Sequence, residues 1–408
     1  MPSPLKLGLL REGKIPPDSR AALTPALAAE VAADPRFDLV VQPSPGRCFP
    51  DEAYAERGVR LAEDLGDRDV LIGVKEVPVE RLRPGKTYFC FSHTHKQQPY
   101  NRELLRTVLA RGIRLIDYEL LTDDSGARVI AFGRFAGMVG AHHALRAWGL
   151  RTGRYDLPAM RDVIDYAAAR EAYAAIDLGD VRVVVTGTGR VGDGARGVLR
   201  DAGLAEVTHE AFLGGRGPRA AFTQLGVKAY ARRADGATFR RREFYADPSG
   251  FESSFARYAA AADVLVHGIF WDTRAPALFE LADARAPAWR IRVIADVTCD
   301  IAPVTSVPAT VRATTIADPY FGFDPARGVE VGAWDDGAIT MMTVDNLPNE
   351  LPRDASASFG RTFVERVLPE LLAPDSAMLE RATIARGGRL TERYRYLARY
   401  VGEEQPHA

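Results

Sequence analysis

Through the first 120 residues, short apolar runs of β character alternate with stretches whose apolar positions return every three or four residues. "LKLGLL" gives way to "TPALAAEVAA", where Thr24 is placed to cap a helix and Pro25 to occupy its first position. "FDLVVQ" leads into "DEAYAERG"; "DVLIGVK" and "TYFCFSH" follow, and "QPYNRELLRTVLARG" precedes "IRLIDYE". Strands and helices in this order predict βαβ units and a mostly parallel sheet wrapped by helices. A second series opens at "VRVVVTGTGRVGDGARGVL" and runs on through "DVLVHGIF" and "RIRVIADVTCD". The predicted fold class is therefore α/β, with two Rossmann-like doubly wound domains. Near the end, "MLERATIARGGRLTERYRYLARYV" reads as helix interrupted by Gly-Gly, and the final "EEQPHA" as a frayed terminus.

Composition narrows the class. A chain of 408 residues suits two domains of common size. At 47% hydrophobic and 26% charged residues it has the balance of a soluble globular protein. Lys plus Arg (53) nearly cancels Asp plus Glu (54), so no overall field recruits nucleic acid or an anionic membrane. "RRADGATFRRREF" then reads as a solvated arginine-rich loop. Cys48, Cys90 and Cys299 are widely spaced and form no CxxC pair, which argues against a disulfide framework or a zinc site. A reducing, cytoplasmic setting is expected: "LGLL" is too short for a signal-peptide core, and no stretch reaches membrane-spanning length.

Open α/β sheets bind ligands beyond the carboxyl ends of their strands. Arg20, Lys75, His93 and Glu119 all fall at or just after such ends, so "YFCFSHTHKQ" reads as a strand delivering titratable groups into a site. His93 and His95, two apart, would share a face of a regular strand and could chelate a metal, but no HExxH, Cys pair or third ligand accompanies them; no metal is expected. In the second series a buried strand runs into Gly187-x-Gly189-x-x-Gly192 and then a helical period. The first glycine permits the turn, the second lets backbone approach a pyrophosphate, and the third allows close packing of helix on strand, so a dinucleotide is the expected cofactor. Glu206 and Glu210 are candidates to hold its adenine ribose, whereas Arg216 and Arg219 would instead suit a ribose phosphate, so these residues leave NAD and NADP both open. Asp345 closes an apolar run, where it would reach the cofactor or cap a turn; composition favours the turn.

The motifs "SRAALTP", "GVKEVP", "FSHTHKQQ", "LIDYELLTDDSGARVIAFGRFAG", the glycine loop, "ADVTCD" and "VDNLPNELPRDAS" occur in that order along most of the chain. Together they resemble the NAD-dependent, lysine-forming saccharopine dehydrogenases, within the wider group of alanine dehydrogenase and the nucleotide-binding part of transhydrogenase. The resemblance implies that Lys75 and His93 form an acid–base pair, that the carboxylates Glu76 and Glu119 tune it, and that Arg20 and Arg128 meet a dicarboxylic substrate. It implies that Gly187, Gly189, Arg190, Val191 and Gly192 hold the cofactor and that Asp345 lies beside the nicotinamide, overriding the turn. It also implies a substrate domain of residues 1–132 completed by 346–408, a dinucleotide domain of residues 133–345, and a cleft between them.

The implied reaction is reversible oxidative deamination of saccharopine to L-lysine and 2-oxoglutarate, an oxidation at CH–NH whose partners are a small amino acid and a keto acid. Hydride loss, attack of water on the imine and collapse of the carbinolamine each move a proton, so two groups titrating near neutrality are useful. Substrate-side departures, "REGKIPPDS" before Arg20 and Asn346 where Asp-His is commoner in that family, motivate one alternative: an alanine dehydrogenase-like or opine-type enzyme with another amine. The other is a non-catalytic dinucleotide-binding module, against which the pairing of Lys75 with His93 argues.

Overall fold

Thr24, extended at φ −70°, accepts from the Leu27 N–H, and Pro25 starts the helix Pro25–Ala33, as its cap chemistry predicts. That helix belongs to the first of two compact units, Met1–Ala131 with Pro352–Ala408; the second is Phe132–Leu351. The computed structural model describes residues 3–402, so the expectation for "EEQPHA" lies outside the described residues.

In the first unit the strands β1 (Leu5–Leu9), β2 (Phe37–Val41), β3 (Arg60–Leu61), β4 (Val70–Ile72), β5 (Thr87–Cys90) and β6 (Arg114–Asp117) lie side by side and parallel. Continuous apolar runs such as Val70-Leu71-Ile72 suit strands covered on both faces, and these three residues are at most 4% exposed. Tyr88, Cys90, Leu105 and Leu115 build the core on one side. Because the strands are parallel, the residues that follow β4, β5 and β6 emerge at one edge.

The second unit contains β7 (Arg182–Thr186), β8 (Ala205–Glu206), β9 (Ala221–Leu225), β10 (Ala231–Arg233), β11 (Phe251–Ser253), β12 (Val264–His267), β13 (Val293–Asp296), β14 (Tyr320–Asp324), β15 (Val329–Val331) and β16 (Ile339–Met342). Its main sheet runs β15-β14-β16-β13-β12-β7-β9-β8, parallel from β16 to β8 and antiparallel at the other end; β10 and β11 form a separate hairpin. The long helix Gly133–Thr152 packs on the glycine-loop helix Arg190–Asp201. The approach is close because side chains are missing: a Cβ on Gly137 would meet Val191 O at 1.8 Å, and one on Gly194 would meet Arg134 O at 2.0 Å. On the long helix, buried His143 bridges Tyr320 Oη and Glu350 Oε1, each at 2.8 Å.

The chain then returns to the first unit, where the structure corrects the helical reading of the C-terminal segment. After the helix Ala377–Ala382, the strands β17 (Thr383–Arg386) and β18 (Arg389–Leu390) form a hairpin, β17 pairing antiparallel with β6. Gly387 and Gly388 both take positive φ, +58° and +81°, the requirement of a two-residue hairpin turn. What reads as a broken helix is a tight turn between short strands, because a Gly-Gly step admits either and only pairing with β6 selects one. Among the described residues no helix is long and apolar enough to cross a membrane.

Two glycines of the helix Arg190–Asp201 predict opposite effects on stability. Gly194→Ala forces the two helices apart and costs about 1–3 kcal/mol or more. A Cβ on exposed Gly197 meets nothing within 4 Å, so Gly197→Ala stabilises by roughly 1 kcal/mol. Thermal or urea unfolding of the two variants against the parent checks both signs.

Candidate active site

At the end of β6, Asp117 is fully buried and organises the edge of the first unit's sheet. One carboxylate oxygen accepts from the Ser92 N–H (2.9 Å), the Ser92 hydroxyl (2.6 Å) and the His93 N–H (3.1 Å); the other accepts from the Glu119 N–H (2.8 Å). Burial alone would raise this carboxyl, but the nearby His95 imidazole and the donors of Ser92 and Glu119 outweigh it and hold it below the usual range. Residues from the ends of two strands are thus tied to one carboxylate. The strand β5 stops at Cys90, and His93 adopts a left-handed conformation (φ 51°) before the 3-10 turn Thr94–Lys96. His93 and His95 therefore do not share a strand face, which removes the geometry of the metal alternative.

Around the loop after β4 a second cluster forms. His93 Nδ1 lies 2.8 Å from Glu76 Oε1, and Lys14 Nζ lies 3.4 Å from Glu76 Oε2. Burial would raise Glu76, but the His93 contact, its own backbone N–H and Lys14 bring it down to about 2. Lys75 is pushed the other way, down to about 8, first by burial and then by the Arg20 and Lys14 cations. Arg20 is 3% exposed and gripped by Asp18: Nε and Nη2 donate to its two carboxylate oxygens at 2.9 and 2.5 Å, and the Arg20 N–H donates at 3.1 Å. Glu12 accepts from the N–H groups of Val74 (2.7 Å) and Lys75 (2.9 Å).

The structure thus brings Lys75, Glu76, His93 and Arg20 into one neighbourhood. Glu119 faces a different set of groups: the cations Lys96 Nζ at 2.8 Å and Arg128 Nη1 at 3.4 Å, and the His95 ring through Nε2 at 3.5 Å. Arg128 keeps 38% of its side chain exposed. Sequence reasoning missed Glu12, Lys14, Asp18, Lys96 and Asp117. One signal was available for Asp18. In Asp18-Ser19-Arg20, Asp34-Pro35-Arg36 and Asp272-Thr273-Arg274 alike, the aspartate accepts from the arginine's N–H and its guanidinium, so Asp-x-Arg is a local clamp; burial of the first distinguishes it.

In the second unit Gly187 takes φ +97°, and a Cβ there would meet Gly268 O at 2.5 Å. A Cβ on Gly192 would meet Gly187 O at 2.0 Å, whereas one on Gly189 would enter open space. Gly189 is the N-cap of the helix and supplies no side-chain cap, with Arg190 and Val191 opening the first turn. An unobstructed backbone approach at Gly189, in front of an uncapped helix start, fits a pyrophosphate. Neither expected ribose acid lies on a strand next to this loop: β7 is flanked by β12 and by β9, the latter ending Gln224-Leu225. Glu206 stands one strand further out, paired with Arg196 and Arg200, and exposed Glu210 pairs with Arg216. Arg219 pairs with Asp180. Gln224 instead donates to Gly187 O at 2.9 Å. An apolar cavity lined by Tyr230, Phe244, Tyr245, Ile269 and Trp271 opens at the loops after β9 and β12. Asp345 lies exposed just past the carboxyl end of β16.

These features define a two-unit α/β protein with a dinucleotide-type glycine loop in one unit and a lysine, histidine and carboxylate cluster at a sheet edge of the other. Residues 8–139 match the alanine dehydrogenase/PNT N-terminal domain. Over most of its length the chain is similar to saccharopine dehydrogenases [NAD(+), L-lysine-forming]: that of Yarrowia lipolytica is 27% identical, covering 91% of this chain and 93% of the relative. The alpha-aminoadipic semialdehyde synthase of Arabidopsis thaliana is 30% identical over 96% of this chain, which spans 41% of that relative's length. A solved L-alanine dehydrogenase shares the fold, with a TM-score of 0.65 at 17% identity, covering 97% of this chain and 99% of that one.

The charges around Lys75 predict its reactivity. In competitive labelling with an amine-directed reagent, read by peptide mass spectrometry, Lys75 reaches half-maximal labelling near pH 8, where an ordinary lysine with a value of 10.5 is still almost wholly protonated. A midpoint near the ordinary value would show that the amine is not held in this surrounding.

Proposed function

We propose that the protein is an oxidoreductase acting on a CH–NH group, oxidising saccharopine to L-lysine and 2-oxoglutarate reversibly with NAD. The observation that carries the reading is the depressed lysine Lys75 beside the Glu76–His93 pair, in a chain homologous over most of its length to enzymes named for that reaction. Gly187, Gly189, Arg190, Val191 and Gly192 would hold the dinucleotide, with Asp345 near its nicotinamide. NAD, when bound, supplies the acceptor for the hydride leaving the substrate carbon.

The remaining steps belong to this chain's own groups. Near pH 8 the Lys75 amine exists in both protonation states, so it can take a proton from the secondary amine and return one later. His93 deprotonates the water that attacks the imine and then protonates the departing amine as the carbinolamine collapses. Glu76 fixes the orientation of the ring through Nδ1, leaving Nε2 to work. Of the two arginines, Arg128 is the more exposed and so the more accessible to a substrate carboxylate, while Asp18 engages two nitrogens of buried Arg20. Arg20 then acts through its charge on Lys75. A second reading, amination of another keto acid such as pyruvate, follows from the fold shared with alanine dehydrogenase.

Purified protein with 2-oxoglutarate, L-lysine and NADH decides between them: lysine-dependent loss of the 340 nm absorbance is expected, with NADPH, and ammonia plus pyruvate, run in parallel. Turnover only with ammonia would move the substrate, and silence with dinucleotide still bound would defeat catalysis altogether. Lys75→Met and His93→Gln should each lower kcat by about 10²- to 10⁴-fold while leaving NADH affinity within about twofold. Equal losses of affinity and turnover would defeat the assigned roles.

A further inference from the structure

Glu12 stands outside the acid–base pair yet holds the backbone that carries it. Its two carboxylate oxygens accept separately from the consecutive N–H groups of Val74 and Lys75, at 2.7 and 2.9 Å. The same short segment is held from two other directions: Tyr118 Oη donates to Gly73 O at 2.8 Å, and the Phe91 N–H donates to Val74 O at 2.9 Å. Tyr118 and Phe91 are side-on ring neighbours from the ends of β6 and β5, so their grips share one packed layer. Tyr118 and Phe91 thus take the carbonyls of the same two peptide groups whose N–H groups Glu12 takes, and Glu12 is the one of these three grips common to both.

The site around Glu12 is crowded with charge. Burial pushes this carboxyl up to about 7 against the lowering effect of its two amide donors, with Asp18 raising it further and Arg20 lowering it. A carboxylate kept in so unfavourable a place has a local task, since an isolated buried charge is destabilising unless its bonds are made. Lys75, in turn, is placed so that burial and the Arg20 and Lys14 cations depress it. That depression depends on where the Lys75 peptide sits.

We infer that Glu12 is a positioning residue for the proton-transfer lysine: by chelating two successive amides it sets the Lys75 peptide, and hence holds the Lys75 amine in the cationic, partly buried spot where it can exchange a proton. The inference concerns the same site as the proposed reaction and rests on that reading for its kinetic consequence, though not for its chemical one. In Glu12→Gln the side chain keeps the volume but offers one acceptor and one amine donor to two N–H donors, so one contact becomes repulsive. The Lys75 peptide is then held through its carbonyl alone, by the Phe91 N–H, so it tilts and the amine moves toward solvent. Glu12 is not among the leading charges on Lys75, which are Arg20, Lys14, Glu76 and Asp18, so movement outweighs the lost negative charge and the amine titrates higher.

The experiment measures Glu12→Gln and Glu12→Ala beside the parent chain in three ways: the pH midpoint of Lys75 labelling by peptide mass spectrometry, kcat and KM with lysine, 2-oxoglutarate and NADH, and NADH binding by fluorescence. The expected result is a labelling midpoint raised by about one pH unit or more, kcat lowered by about 10- to 100-fold, and NADH affinity unchanged within about twofold. An unchanged midpoint, an unchanged kcat in an active parent, or loss of NADH binding in both variants would overturn the inference, the last by assigning Glu12 to folding. If the parent itself turns over none of the amines while the midpoint still rises, the positioning of Lys75 stands and the proposed reaction falls.

Discussion

A single buried carboxylate, Asp117, has four donors converging on it from two adjacent strand ends. Charge-assisted bonds of this kind contribute roughly 1.5–3 kcal/mol each when complete, and leave a large penalty when one is missing. That asymmetry makes the arrangement self-enforcing. The chain past β5 must turn sharply enough to present both the Ser92 and His93 amides to one oxygen, and His93 takes its left-handed conformation there. The same constraint directs the His93 ring toward Glu76 and carries Glu119, through its own N–H, to the other side of the carboxylate.

Satisfying backbone donors with side-chain carboxylates recurs along this edge. Parallel strands leave their carboxyl-end loops without a ladder partner, so each amide there needs an acceptor from elsewhere. Asp117 serves the loop after β5 and Glu12 the loop after β4, while Asp18 holds the N–H and guanidinium of Arg20. Acceptors that complete the backbone also set the local field, so the scaffold and the titration of Lys75 and Glu76 are one arrangement. The cations Lys14 and Arg20 depress Lys75, and the His93 and Lys14 contacts depress Glu76, against burial.

The second unit is organised by the opposite device, side chains that are missing. Gly137 and Gly194 let two helices meet backbone to backbone, and Gly187 and Gly192 let the glycine loop close on itself. Of the three loop glycines only Gly189 faces open space, at the uncapped helix start where an anion gains most from backbone N–H groups. One unit thus offers an open, uncapped helix start and the other a cluster of titratable side chains, the division of labour that the proposed dehydrogenation requires.

The order of strands and helices was legible in the sequence because apolar periodicity and cap chemistry are local: Thr24 with Pro25, Val70 to Ile72, and the run from Arg182 into Gly187 each carry their own reason. Lys75, His93 and the glycine loop were legible too, since a strand end or a glycine spacing marks them. The C-terminal hairpin was not, because Gly387-Gly388 is compatible with a helix break until β6 offers an edge to pair with. Nor was the strand that flanks the glycine loop, which turned out to be β9 rather than the one bearing Glu206; pairing partners are a long-range choice with no trace in local pattern. Glu12 and Asp117 look in sequence like ordinary polar residues beside a strand. Only the tertiary structure, by bringing amides from residues 62 or 63 and 24 or 25 positions away onto their oxygens, decides that they hold the site.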